Sequence, residues 1–303
     1  MSSEFLLPKE VELENLLKEL RALSWGAADI LMAFQLGEKA PFGFASSLIV
    51  NESKEGPVSS ADLAVNKWLI DGIENKFPNV DWNVLTEESC KEKSINKSSL
   101  LSDWLWIIDP LDGTKDFLQG SASYAVHIAL AYKNIPVLGV VLIPALEELW
   151  FGIVGKEAWC ENRNCKRTSF KFSKRNKISD SVLVSSKNHR NPTLEKLIKE
   201  INFGEIKSIG SVGCKIAAIL RGEADLYISI SGDTAPKDWD IAAPEALLLA
   251  AGGSFTHADG RSLSYEEKDF SQRGCLIASH GLLHETFCKQ ILNQIQIISP
   301  HLI

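Results

Sequence analysis

Asp109-Pro110-Leu111-Asp112-Gly113-Thr114-Lys115-Asp116-Phe117 follows an apolar run, Trp104-Leu105-Trp106-Ile107-Ile108, that reads as a buried strand. Such a strand delivers Asp109 to its end. Pro110 has no N–H for the ladder, so the chain is expected to turn there. The turn brings back a second carboxylate, Asp112. Gly113 and Thr114 then offer backbone N–H groups where a short helix begins. Two acids beside a cluster of amides suit a divalent cation and a phosphate together. The rest of the chain must supply the missing ligands.

Upstream, apolar residues at helical spacing predict a helix over 11–35, and a loop rich in glycine and serine runs to Gly56-Pro57-Val58. Ser59-Ser60-Ala61-Asp62 opens a second helix, with Ser59 and Asp62 in capping-box relation. Capping alone accounts for Asp62. A short strand over 80–85 leads into Thr86-Glu87-Glu88-Ser89, acids that taken alone read as surface residues. The polar stretch 90–102 reads as a mobile loop. Downstream of the central stretch, runs at 124–132, 136–143 and 148–154, divided by Lys133-Asn134 and Pro144, predict an antiparallel meander, and 157–160 adds a further strand.

The polar stretch 161–177 is taken as the boundary between an N-terminal half, 1–175, and a C-terminal half, 176–303. Beyond it strands and helices alternate: strands at 182–185, 206–209, 224–230 and 274–278, helices at 193–201, 214–220, 241–251 and 282–294. The first half therefore reads as α+β and the second as α/β. Asp240, in Lys237-Asp238-Trp239-Asp240-Ile241, precedes an alanine-rich helix with Pro244 expected in its first turn. An N-cap role accounts for it equally well.

The 303 residues are 45% hydrophobic and 23% charged, an ordinary globular composition, and the net charge of −7 argues against a nucleic-acid polymer as partner. The most basic stretch, 166–177, is short and mixed with polar residues. No secretory signal is visible after Met1-Ser2-Ser3-Glu4, and the longest apolar candidate, 137–154, is broken by Pro144 and Glu147-Glu148, so no membrane span is expected. Cys90, Cys160, Cys165, Cys214, Cys275 and Cys288 lack metal-binding spacing and read as reduced thiols, so a cytoplasmic location is expected. A redox role for Cys160 with Cys165 is left open.

If Glu87, Asp109, Asp112 and Asp240 converge, each closest pair repels by roughly 4 kcal/mol at an effective dielectric near ~20. Such a cluster persists only when protonated or filled with cations, and a pair of Mg²⁺ ions balances it. Phosphate monoesters hydrolyse extremely slowly unaided. Metal ions help by making hydroxide available near neutral pH and by neutralising the leaving oxygen. Thr114 orients the attacking water if Asp62 holds its hydroxyl.

These motifs resemble the inositol monophosphatase superfamily of lithium-sensitive, magnesium-dependent phosphatases: Asp-Pro-Leu-Asp-Gly-Thr at 109–114, Glu-Glu at 87–88 and Trp-Asp at 239–240. The resemblance extends in order from Val58-Ser59-Ser60-Ala61-Asp62 to Ala250-Ala251-Gly252-Gly253. It implies a layered αβαβα sandwich of the inositol monophosphatase-like sugar phosphatase type, two or three Mg²⁺ per site, and a homodimer as a possible assembly. It further implies that Glu87, Asp109 and the Leu111 carbonyl hold the first metal and that Asp109, Asp112 and Asp240 hold the second. Asp62 and Thr114 match the water-activating pair, and the amides of Gly113 and Thr114 match the phosphate cradle.

Finer marks resemble the 3′(2′),5′-bisphosphate nucleotidase branch: Lys115 with Asp116-Phe117, Gly210-Ser211 with Lys215, and Lys237 ahead of Trp239-Asp240. The expected partner is then a small phosphorylated substrate, a nucleoside bisphosphate, with Ser211, Lys215 and Lys237 on the substrate side. Lys215 is the candidate for the non-reacting phosphate, against a plain lysine on an exposed helix turn. Ser185-Ser186-Lys187-Asn188-His189 resembles a looser form of a substrate-side loop, which brings in His189. Val212-Gly213-Cys214 lacks the serine-rich form common before that lysine, and the loop 232–236 has no close match.

Three rival readings remain. One is hydrolysis of inositol or sugar phosphates within the same superfamily. Another is an aspartyl-phosphate mechanism, which requires D-x-D-G-T, whereas two residues separate these acids. The last is a silent regulator that binds metal and phosphate.

Overall fold

The computed structural model describes residues 7–45, 47–53, 56–92, 102–187, 192–231 and 234–300. In chain order the first half runs α1 (Leu13–Leu36), β1 (Val50–Ser53), β2 (Gly56–Ser59), α2 (Ser60–Lys76), β3 (Asn83–Thr86), α3 (Glu87–Glu92), β4 (Trp104–Asp112), α4 (Thr114–Leu118), β5 (Ala125–Tyr132), β6 (Ile135–Ile143), β7 (Glu148–Ile153), β8 (Glu157–Glu161) and β9 (Arg167–Thr168). The second half runs β10 (Val182–Ser186), α5 (Pro192–Glu200), β11 (Glu205–Ile209), α6 (Val212–Leu220), β12 (Leu226–Ile230), α7 (Asp238–Ala250), β13 (Ser254–His257), β14 (Cys275–Ser279) and α8 (His284–Ile298).

Five layers result. Strands β3 to β9 form a seven-stranded sheet in sequential order. Its even-numbered face, with Trp106, Ile108, Ile128, Val140 and Leu142, packs on α1 and α2. The opposite face carries Ala125, Ala129, Ala131 and Val141, small enough to admit α6 and α7. A second sheet, ordered β11-β10-β12-β14-β13, covers those helices from the other side, and α5 and α8 close its outer face. This is the expected αβαβα sandwich. Because α6 lies between two sheets, all nine of its residues are buried, as a helix apolar on every side requires.

Helix α7 sits almost on the backbone of β6 and β7. A Cβ at Gly139 would come within 2.3 Å of the Ala243 carbonyl oxygen, and one at Gly152 within 2.4 Å of Leu247 Cα. That contact fixes where α7 starts and hence where its acids point.

Several expectations are corrected. Pro110 does not end the strand: β4 continues to Asp112 through a bulge, its register with β5 shifting between Asp109↔His127 and Asp112↔Ala125. A bulge absorbs the missing N–H and turns the next carboxylate, so the pairing survives the proline. The 36–58 region, read as loop, contains the hairpin of β1 and β2. Residues 90–92 belong to α3, while 93–101 lie outside the described residues. The polar boundary stretch contains β9, paired to β8. Helix α7 begins at Asp238, which makes Pro244 its seventh residue instead of a first-turn residue. Among the described residues, no helix is long and apolar enough to cross a membrane.

Candidate active site

The bulge of β4 and the start of α7 bring Asp109, Asp112 and Asp240 together: one carboxylate oxygen from each lies within 4.8 Å of the others. Each is held from behind. Asp109 Oδ1 accepts the Leu111 N–H at 2.9 Å, which shapes the bulge. Asp112 Oδ2 accepts the Ser211 hydroxyl and the Val212 N–H, both at 2.6 Å. Asp240 is the third residue of α7, not its N-cap, and its Oδ2 accepts the Lys237 N–H at 2.7 Å. Helix capping and site geometry are thus one arrangement, because a carboxylate at that position answers a backbone donor with one oxygen and keeps the other.

Glu87, at the start of α3, joins the cluster through a contact with Asp109. Lys91, one helical turn on, holds Glu87 at 2.8 Å and Glu88 at 3.0 Å. Glu88 is buried, not a surface residue. Lys91 fell within the stretch read as loop; its spacing of three and four from the two acids is the signal that finds it.

Asp62, on the first turn of α2, is buried. Its carboxylate accepts the Ser59 N–H at 2.8 Å, the Ser59 hydroxyl, and the Thr114 hydroxyl at 3.0 Å. The capping box is present as read from the sequence, and it leaves Oδ1 for Thr114. The Thr114 hydroxyl also lies 3.1 Å from the Leu111 carbonyl oxygen. One hydroxyl hydrogen serves one acceptor at a time, so donation to Asp62 releases that carbonyl for another partner. Gly113 caps α4 at a φ of +91°, and a Cβ there would come within 2.9 Å of the Ser123 carbonyl oxygen. Only glycine fits both conditions.

Removal from water dominates the titration of these acids. Burial raises Asp62 and Glu87, and it raises Asp109 and Asp240 well above the usual carboxylate range, reinforced there by the neighbouring acids. Burial also pushes Glu88 up to about 7. Without a cation, burial and mutual repulsion favour keeping protons on these acids. A cation displaces them, and an all-oxygen donor set of carboxylates and one carbonyl suits a hard ion such as Mg²⁺. The residues fit that group.

His127 escaped the sequence reading. It is fully buried on β5, with Nε2 3.4 Å from Asp112 Oδ2 and Nδ1 3.4 Å from the Trp239 carbonyl oxygen. It therefore spans the gap between the β4 acids and the start of α7. Burial lowers its pKa, which keeps the ring neutral. A lone histidine among Ala125, Ala129 and Ala131 on the small-residue face is the signal that marks it.

A cavity of about 650 Å³ opens over the cluster, lined among others by Glu87, Asp109, Asp240, Lys115 and Lys237. Lys115 is exposed on α4. Lys215 is buried, contrary to the plain reading of an exposed turn. Its Nζ donates to the Gly210 carbonyl and lies 5.1 Å from the centre of the Tyr227 ring. Burial lowers its pKa, opposed by Asp112, Asp240 and Asp116 nearby. Ser211 is buried with its hydroxyl turned to Asp112, while Lys237 Nζ donates to the Asp269 carbonyl at 3.0 Å and the Ser271 hydroxyl at 3.1 Å. His189 lies outside the described residues. Cys160 is buried and its thiol is pushed up to about 12, whereas Cys165 is exposed.

The sequence profile of the inositol monophosphatase family matches residues 12–296. The chain belongs to the inositol monophosphatase family. As a family member it is a metal-dependent phosphomonoesterase. Among curated proteins it is 29% identical over 259 residues to the 3′(2′),5′-bisphosphate nucleotidase CysQ of Salmonella typhimurium, covering 84% of this chain and 95% of that one. It is 32% identical over 216 residues to CysQ of Buchnera aphidicola, covering 69% and 74% respectively. Among solved structures, the Thermotoga maritima IMPase matches with a TM-score of 0.72 at 26% identity, over 94% of this chain and all of that one. Staphylococcal IMPase-I in complex with products shares the fold, with a TM-score of 0.71 at 20% identity over 93% of this chain and 96% of the other.

Proposed function

We propose that this phosphomonoesterase removes the 3′-phosphate of adenosine 3′,5′-bisphosphate or of its phosphosulfate form. The observation that carries the reading is the likeness to CysQ proteins over 84% of the chain, combined with lysines beside the acid cluster. A substrate with two anionic groups needs cations beyond those serving the cleaved one.

In this reading Glu87, Asp109 and the Leu111 carbonyl hold one Mg²⁺, and Asp109, Asp112 and Asp240 hold another. The bound ions supply neutralisation of phosphate charge and ready ionisation of water. The chain's own groups do the rest. The amides of Gly113 and Thr114, at the head of α4, receive phosphate oxygens. Thr114 Oγ accepts a hydrogen bond from the attacking water while donating to Asp62. As the oxygen bonds to phosphorus, its proton passes to Thr114 and the hydroxyl proton of Thr114 passes to Asp62. The phosphorus–oxygen bond to the sugar breaks, and the leaving oxygen takes a proton from solvent. Burial that raises Asp62 makes it a better acceptor for that proton.

Phosphate release from adenosine 3′,5′-bisphosphate, its phosphosulfate form and inositol 1-phosphate tests the substrate at saturating magnesium. The expected result is a kcat/KM for one of the adenosine substrates at least about 10-fold above that for inositol 1-phosphate, one charge-assisted contact's worth. A preference for inositol 1-phosphate overturns the substrate and leaves the reaction class standing.

A further inference from the structure

We propose that His127 is a positioning residue of the metal centre: its ring fixes the first turn of α7 against the β4 bulge and so sets the spacing of Asp112 and Asp240. This rests on the assignment of those acids as metal ligands. His127 stands on β5 opposite Asp109, where the register with β4 breaks before Asp112 pairs with Ala125. Its side chain is fully buried. The ring meets three elements at once. Nε2 lies 3.4 Å from Asp112 Oδ2 on β4, and Nδ1 lies 3.4 Å from the carbonyl oxygen of Trp239, the residue before Asp240 on α7. A Cβ at Gly213 would come within 2.4 Å of Nε2, so α6 passes against the ring and glycine is what leaves it room.

The contacts also locate the single proton of the neutral ring. Two acceptors flank it, a carboxylate and a carbonyl, and one N–H serves only one of them. Asp112 Oδ2 already accepts the Ser211 hydroxyl and the Val212 N–H, both at 2.6 Å. The contact with Trp239 has hydrogen-bond geometry, whereas Nε2 has no hydrogen-bond partner among the described residues. Nδ1 therefore carries the proton and donates to the Trp239 carbonyl, and Nε2 turns a lone pair toward Asp112. A third donor on Oδ2 would draw off charge that a cation uses, and the ring directs its proton to the helix instead.

The helix needs that bond. Pro244 has no N–H to give the Asp240 carbonyl four residues back, so the turn that presents Asp240 is held with one helical bond fewer. Lys237 N–H donates to Asp240 Oδ2 at 2.7 Å and Asp238 N–H to the Phe270 carbonyl at 2.8 Å, which fasten the turn to its own N-cap and to the segment before β14. His127 fastens it to the sheet that carries Asp109 and Asp112. Groups that hold metal ligands from behind are typically worth about 10- to 100-fold in metal affinity, because they orient the ligand oxygens.

The test follows Mn²⁺ binding to the substrate-free protein through the paramagnetic resonance signal of the free ion, with melting temperatures in chelator as a check on folding. It compares wild type with His127→Asn, His127→Leu and His127→Gln. Asparagine puts an amide nitrogen in the place of Nδ1, leucine has the same branched shape with no donor, and glutamine carries its amide nitrogen to the place of Nε2. His127→Leu and His127→Gln are expected to weaken binding at one Mn²⁺ position by about 10- to 100-fold, and His127→Asn to recover most of that loss. The magnesium concentration for half-maximal phosphate release should rise in parallel. KM at saturating magnesium should stay within about 3-fold, as befits a group that does not touch substrate. Binding by a folded His127→Leu within about 2-fold of wild type, or equal binding by His127→Asn and His127→Gln, refutes the brace while the metal assignment stands. The contrast between asparagine and glutamine decides if the leucine variant does not fold. If wild type takes up no Mn²⁺, both fall.

Discussion

Replacing Thr114 with valine removes one hydroxyl from the centre of the site and keeps the side chain's shape. Asp62 then retains two of its three side-chain-directed donors, the Ser59 N–H and the Ser59 hydroxyl, and loses the one at 3.0 Å from Thr114. For folding, loss of one hydrogen bond to a buried carboxylate costs about 1–3 kcal/mol. For catalysis the same change removes the group that links water to Asp62, a general-base contribution of about 10²- to 10⁴-fold in rate. That is roughly 3–5 kcal/mol, more than the folding cost. The two readouts therefore separate. Phosphate release from the best substrate of the panel, measured at saturating magnesium, should fall at least about 100-fold in kcat with KM nearly unchanged, while the melting temperature drops by only a few degrees. Thr114→Ser restores the hydroxyl and should recover most of the rate. A Thr114→Val enzyme that keeps more than about a third of wild-type kcat would refute the Asp62–Thr114 pairing as the water-activating device, since a general base is worth far more.

Asp112→Asn should lower kcat by at least about 100-fold and raise the magnesium concentration needed for half-maximal rate, because the acid cluster loses a charged ligand; a magnesium titration of phosphate release decides it. Near-native activity at unchanged magnesium would contradict the site. Lithium is expected to inhibit by competing for a magnesium position, and rates unaltered at high lithium would count against it. Metal-free protein should lose stability as pH rises. Asp109 and Asp240 sit well above their unfolded values, so their contribution is complete below about pH 4 and is lost as pH climbs through the raised folded values. Glu88, moved from 4.5 to about 7, adds loss of the same sign between those values. Melting curves in chelator should fall from pH 5 to pH 8, with magnesium restoring more at pH 8. A metal-free melting temperature that rises over this range would contradict the cluster's electrostatics. Asp225, held near 2 by His280, Ser173 and Arg175 despite its burial, acts in the opposite sense and only in acid.

Local signals were the legible ones. Apolar runs and turn residues located the meander of β5 to β8 to within a residue or two, because each strand's extent and turns are written in its own segment. The Ser59–Asp62 capping box was legible for the same reason. The continuation of β4 past Pro110 was not, since pairing of Asp112 with Ala125 on a distant strand decides it. Polar β13 and the hairpin of β1 and β2 owe their form to partners, not to composition. The burial of Lys215 goes against the plain reading of a lysine on an exposed turn. Its neighbours Val212, Cys214, Ile216, Ala217 and Ile219 surround the helix with apolar groups, and a helix of that kind is enclosed on all sides. The four acids were legible singly by motif. Their convergence depends on Gly139 and Gly152 admitting α7 to the sheet, a long-range contact that local pattern does not reveal.

Crystals soaked in Mn²⁺ and measured at the manganese absorption edge address the acid cluster without recourse to activity. A pair of anomalous peaks is expected, one among Glu87, Asp109 and the Leu111 carbonyl and one among Asp109, Asp112 and Asp240. Both should vanish in Asp109→Asn, the ligand the two positions share. An empty cluster at a Mn²⁺ concentration that supports phosphate release, or peaks that persist in Asp109→Asn, would contradict the assignment of these acids as the metal centre.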